Sequence, residues 1–234
     1  MSIVTISRGS YSHGVLVAEA LARRLGYGCV SRDVLLEVSK QFNVPEYKLT
    51  RAIQCSPAFL ERLTFARAKY VAYIRYAILN HLAKDNMIYH GFAGHFFVKG
   101  VTHALKVRIN AGIFQRIQAM MEREGLTSEG DALRLIQAVD EERRNWSMKL
   151  YGIDTWDSRL YDLTLTIDRI TVDDAVDMIV EVLQKKAFQT TPESRRHLDV
   201  LLREAEAELK RFSATRPFFE PLRESPWKKK SGTG

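Results

Sequence analysis

At 234 residues the chain is long enough for one large domain, or for one domain with an appendage. Hydrophobic content of 46% and charged content of 27% are ordinary for a soluble globular protein. The net charge of +7 is unevenly spread: from Leu183 onward 12 Lys and Arg face 7 Asp and Glu, and the end carries the run Lys228, Lys229, Lys230. A short run of this kind is more often a solvated tail than a binding surface, so nucleic acid is not an expected partner. Cys29 and Cys55 make neither a disulfide framework nor a C-x-x-C motif. With no signal-peptide pattern and no apolar run of about 18 residues, the expectation is a cytoplasmic protein without a membrane span.

In chain order, Ile3 to Ile6 read as a buried strand. A small polar turn follows, then a helix with Val17, Ala18, Leu21, Ala22 and Leu25 on one face. "YGCVSRDVLLEVSKQF" reads as a brief strand turning into a helix near Ser31, and Pro57 to Lys84 as a long helical stretch. "NMIYHG", ending at Gly91, and "ALKVRINA" are two further strands, and Ile113 to Glu124 a helix. Thr127 or Ser128 caps a long charged helix. "YDLTLTIDRI" is a last strand, and "TVDDAVDMIVEVLQKK" is an amphipathic helix behind a Thr/Asp-rich cap. Strands alternating with helices predict an α/β fold with a mainly parallel sheet. Beyond Ala187, Pro192 to about Phe212 fits one more helix, and the proline-bearing end an irregular tail. The expected organisation is a domain over 1–187 with a lid at about 127–160, a helix over 188–213 and a basic tail over 214–234.

The first turn has chemistry in its spacing. Gly9 to Gly14 fits the G-x-x-x-x-G half of a phosphate-cradling loop, but Val15 and Leu16 stand where that motif carries Lys and then Ser or Thr. Such a loop receives phosphate on backbone N–H groups and a helix N-terminus.

The order of features resembles the bacterial cytidylate kinase-like family among P-loop nucleoside monophosphate kinases, over roughly residues 2 to 183. The opening "ITISR" with its loop and "A-x-x-L-A-x-x-L-G" helix resembles the family's first segment, and "HGFAGHFF" its Gly-Arg-x-(Ala/Gly) signature. "DEERRNWSMKLYGIDTWDSRLYDLTLTID" resembles its lid and following strand, the most specific match. The resemblance implies a three-layer P-loop kinase fold with a helical lid. It also implies phosphoryl transfer from ATP to a nucleoside monophosphate such as CMP. Carried over residue by residue, it assigns donor phosphates to Arg8, Gly9, Ser10, Ser12 and Gly14; His13, inside the loop, could hydrogen-bond a phosphate and partly replace the missing loop cation. The acceptor goes to Arg32, Asp33 and Gly91, and catalysis to the lid cations Arg143, Arg144 and Arg159. Magnesium is admitted, but no protein ligand for it is evident.

The departures fall on charge. Val15 replaces the loop cation, Leu16 the magnesium hydroxyl, Ser31 an Asp and Phe92 the Arg of the second signature. Each ionic hydrogen bond lost is worth roughly 1.5–3 kcal/mol, so transfer is expected to be weak or lost while a phosphate ligand is retained. A second reading stays open: a non-catalytic interaction module whose extension, through Phe218, Phe219, Trp227 and the lysine run, engages a protein partner. Against the lid assignments stands a solvated helix face, with Asp140 and Arg144 as an i,i+4 pair. His90 and His95 read as structural rather than metal ligands, Asp154 and Trp156 as lid-folding residues. Tyr70, Tyr73 and Tyr76 read as core more readily than as an acceptor surface.

Overall fold

In the computed structural model of the chain, which describes residues 2–31, 33–42, 44, 64–91 and 94–214, five apolar segments pair into one parallel sheet. The strands are β1 (Ile3–Arg8), β2 (Gly28–Val30), β3 (Met87–His90), β4 (Ala104–Ala111) and β5 (Leu163–Ile167). Their spatial order is β2-β3-β1-β4-β5, with β1 central. The chain leaves β1 toward one edge, builds β2 and β3, and then crosses to the other side for β4 and β5. Such a reversal opens a crevice beyond the carboxyl ends of the central strands. Register places Ile6 opposite His90, and Ser7 opposite Arg108.

Alternation along the strands sorts side chains to two faces. Val4, Ile6, Ile88, Val107 and Ile109 bury against helices α1 (Gly14–Leu25) and α7 (Val172–Leu183). Ile3, Met87 and Tyr89 face α2 (Asp33–Phe42) and α3 (Thr64–Leu82), joined by Phe97 of the short α4 (Gly94–Phe97). The result is the expected α/β three-layer arrangement, with every strand pair parallel. Tyr89 demands space: a Cβ on Gly94 would lie 2.2 Å from its ring, and one on Gly91 2.7 Å from its hydroxyl. The glycines of "HGFAGHFF" therefore seat an aromatic ring behind the crevice.

Helices α5 (Ile113–Glu124) and α6 (Glu129–Tyr151) form a hairpin over the carboxyl end of the sheet. Ile117, Met120, Ala132 and Ile136 make its own small core, onto which Tyr11 packs. Ser128 is the N-cap of α6, accepting from the Asp131 amide. Thr171 and Asp174 form a reciprocal capping box on α7. The final helix, α8 (Pro192–Ala214), lies along α3 and buries Leu198, Ala205 and Leu209 in the α3-side core. Arg75 of α3 reaches Glu204 and Glu208 across that contact. Tyr73 stacks on Phe42 inside the same core, and Tyr70 and Tyr76 pack against it. Positions 57–63 of the predicted middle helix and the tail beyond Ala214 lie outside the described residues.

Since α8 completes the core, Leu198→Ala is expected to cost about 2–5 kcal/mol, the usual range for a buried leucine. Urea denaturation should show one cooperative transition shifted to lower midpoint; an unchanged midpoint would mean that α8 is dispensable to the body.

Candidate functional site

The loop after β1 is shaped by contacts at both ends. Gly9 N–H donates to Ile109 O of β4, and Ser12 Oγ bridges Gly9 O at 2.9 Å and Ile109 O at 3.0 Å. The left-handed backbone positions are Tyr11 (φ 54°) and His13 (φ 60°), not the two glycines. Gly14 answers a different need: a Cβ there would stand 2.8 Å from the Arg8 stem, which crosses it. His13 is the N-cap of α1 and makes no side-chain cap bond.

One anion already addresses the loop. Asp140 of α6 accepts from the Ser10 amide at 3.0 Å and from Ser10 Oγ at 2.7 Å. Arg116 of α5 pairs with the same carboxylate and reaches Ser10 O and Ser10 Oγ, each at 2.7 Å. Both charged side chains are 14% exposed. Burial pushes the Asp140 carboxyl up, but the hydrogen bonds from Ser10 and Arg116 outweigh it and hold the group below the usual carboxylate range.

Beside this knot lies a cleft lined by Ser7, Arg8, Gly91, His95, Arg108 and Arg143, with Trp156 at 54% exposure. Burial, then the guanidiniums of Arg143 and Arg123, push Arg8 below its ordinary value, and its buried Nε has no hydrogen-bond partner among the described residues. Burial also lowers Arg143, against the pull of Asp140. Arg108 donates to Asn110 Oδ1 at 3.1 Å and to Tyr161 Oη at 3.3 Å. Tyr161 in turn bonds Ser7 Oγ and Thr155 O. His95 is only 6% exposed, its Nε2 without a hydrogen-bond partner among the described residues. Burial, with Arg108 and Lys106 nearby, holds its pKa down at about 3, so the ring is neutral. Three guanidiniums around one carboxylate leave the cleft with a positive potential.

The structure brings Arg8, Gly9, Gly91 and Arg143 together at the cleft, with Ser10, Ser12, His13 and Gly14 on the loop beside it. Arg144 turns away: it clasps Asp154 at 3.0 and 2.6 Å and stacks on Trp156. Arg159 is 88% exposed and pairs with Asp157. The anticipated Asp140–Arg144 pair is not formed, because Arg116 and Ser10 hold Asp140 from across the fold. Arg32, Phe92 and the Asp33 side chain lie outside the described residues. Arg108, Arg116 and Asp140 were not singled out from sequence as site residues. Alternation along "ALKVRINA", which puts Lys106, Arg108 and Asn110 on one face, was the available signal for Arg108.

Among the described residues no cluster of His, Cys, Asp or Glu could hold a metal ion, and Leu16 is 51% exposed on the first turn of α1. Nor is any helix among them long and apolar enough to cross a membrane.

Residues 3–169 match the sequence profile of the cytidylate kinase-like family. A segment of 117 residues, half of the chain, is 26% identical to an S-adenosylmethionine-dependent nucleotide dehydratase from Lacinutrix mariniflava, and it spans 24% of that protein's length. Among solved structures, an uncharacterized protein from Eubacterium ventriosum superposes with TM-score 0.60 at 21% identity, covering 80% of this chain and all of that one. A shikimate kinase from Bacteroides thetaiotaomicron gives TM-score 0.46 at 12% identity, covering 79% of this chain and 99% of the other.

His95 also carries a stability signature. Its folded pKa of about 3 lies below the ordinary value near 6.5, so between these limits the unfolded chain binds more protons. Stability is fully present above about pH 6.5 and falls as the medium is acidified, by up to about 1.4 kcal/mol per pH unit. His95→Gln should flatten that limb relative to wild type in chemical denaturation from pH 7 to 4; parallel curves would refute a neutral buried ring.

Proposed function

The chain belongs to the cytidylate kinase-like family, and we propose that it binds the phosphate group of a nucleotide in the arginine cleft between loop and lid, with phosphoryl transfer from ATP weak or lost. The observation that carries this reading is the convergence of Arg8, Arg108 and Arg143 on a cleft whose one lining carboxylate is already paired. A nucleotide is the ligand class in keeping with the cytidylate kinase-like family and with the nucleotide dehydratase from Lacinutrix mariniflava.

Binding and transfer make different demands. Binding a phosphate requires donors and positive potential, which three arginines supply. Transfer also requires in-line placement of two phosphates and charge neutralisation over β- and γ-oxygens, commonly through magnesium. In this chain Val15 and Leu16 stand where a loop cation and a metal-holding hydroxyl would serve that step. The cleft fits the phosphate of ATP in charge. The Ser10 amide, which would meet a donor phosphate, instead meets Asp140. Arg8 and Arg143 would hold and orient the bound group, Arg108 would extend the positive field along β4, and the lid would exclude water.

Calorimetric titration of the full chain with CMP and with ATP, with and without magnesium, tests the reading. CMP is expected to bind, and Arg143→Gln to weaken it by roughly tenfold to a hundredfold, the loss of one charge-assisted contact. Absence of binding at millimolar nucleotide would sink the assignment, and rapid phosphorylation of CMP by ATP would sink the impairment.

A further inference from the structure

The Asp140 knot is more elaborate than an ion pair between the two helices of the hairpin requires. Arg116 alone would satisfy the carboxylate, yet one carboxylate oxygen also takes both the amide and the hydroxyl proton of Ser10. These are the first donors of a turn whose residues Tyr11 and His13 are left-handed and which runs into the N-terminus of a twelve-residue helix. Successive N–H groups in such a turn make an anion seat. The lid carboxylate occupies its first position. We infer that Asp140 is a specificity-determining residue that fills the loop's amide seat, so that the site accepts a monophosphate in the arginine cleft and disfavours pyrophosphate and longer chains.

The inference rests on the proposed phosphate reading of the cleft and adds the class of ligand. Asp140 borders the cleft as well, but both of its oxygens are engaged, Oδ1 by Ser10 and Oδ2 by Arg116, so a single phosphate can lie against Arg8, Arg143 and the buried His95 Nε2 while those contacts persist. A polyphosphate that extends from the cleft onto the loop meets the Asp140 carboxylate. It must break the two Ser10 bonds and the Arg116 pair, or place its own oxygens against a negative charge of low exposure. Like charges in such a setting repel far more strongly than in bulk water. Removal of the carboxylate should therefore favour the longer anion selectively.

The test uses the full chain, with inorganic phosphate, CMP and tripolyphosphate as probes in calorimetric titration. Asp140→Ala and Asp140→Asn should each raise the ratio of tripolyphosphate to phosphate affinity by about tenfold or more, the scale of one regained charge-assisted contact. Glu141→Gln, which removes an equal charge one position along the same helix, should leave that ratio within about threefold, a surface-charge effect. Equal gains for phosphate and tripolyphosphate would reveal a general field effect and overturn the role of Asp140. So would no gain in a protein that still binds CMP, though the cleft would then stand. If no anion binds wild type or either variant, both readings fall. Should loss of the Arg116 partner unfold the variants, the wild-type amide spectrum decides. Saturating phosphate should leave the Ser10 resonance in place and tripolyphosphate should move it; a Ser10 shift with phosphate of equal size overturns the inference.

Discussion

Everything at the carboxyl end of the sheet depends on the contact among Arg116, Asp140 and Ser10. The loop after β1 and the two helices of the hairpin, more than 100 residues further along the chain, meet in one set of charge-assisted hydrogen bonds. Removing two charges from water is costly, so the pair is better regarded as a fixer of geometry than as a source of net stability. Its geometric consequence is definite. With Asp140 on Ser10, Tyr11 sits on the hairpin core and donates from its hydroxyl to Glu124, while Arg143, one turn along α6, is carried to the cleft. The hairpin is thus registered to the loop by polar contacts, with Tyr11 packed on its apolar core.

That registration explains how the fold sustains a group of guanidiniums. Arg8 ends β1, Arg108 lies opposite Ser7 on β4, and Arg143 descends from the lid; each is positioned by a different element. The sheet fixes two of them rigidly, since β1 and β4 pair along their whole shared length. Burial and mutual repulsion disfavour the charged form of Arg8, and the nearby His95 resolves the same conflict by remaining neutral. An anion in the cleft would relieve the repulsion, so the electrostatic strain and the binding capacity are two descriptions of one charge distribution.

Local features were legible in the sequence, and long-range ones were not. The strand over Ala104–Ala111, the helix over Ile113–Glu124 and the Ser128 cap follow from alternation, helical spacing and capping chemistry, all of which act within a few residues. The loop was recognised by Gly9 and Gly14, but the physical reason proved different. Tyr11 and His13 take the left-handed backbone, and Gly14 makes room for Arg8. Asp140 and Arg144 share a helix face by spacing, yet a partner 130 residues away captures the first and Asp154 captures the second. No periodicity encodes such a choice, because it is decided by which elements the sheet order brings together. Arg116 carried no signal for the same reason, whereas Arg108 did, as a cation on a strand beside Lys106.

The positions that depart from the kinase pattern and the positions that build the core belong to separate physical problems. Val4, Ile6, Val17, Leu21 and Ile109 bury one face of the sheet regardless of what stands at the tip of the loop, so substitution there leaves the fold intact. Transfer of a phosphoryl group calls for charge at fixed places around it, and on the first turn of α1 the exposed Leu16 offers none. Phosphate binding tolerates a change of direction, since positive potential adds from any side. Arginines on β1, β4 and the hairpin accordingly meet at one cleft from three directions, beside a loop whose following residues are Val15 and Leu16. A scaffold under this division of labour can vary the tip of its loop without disturbing its core.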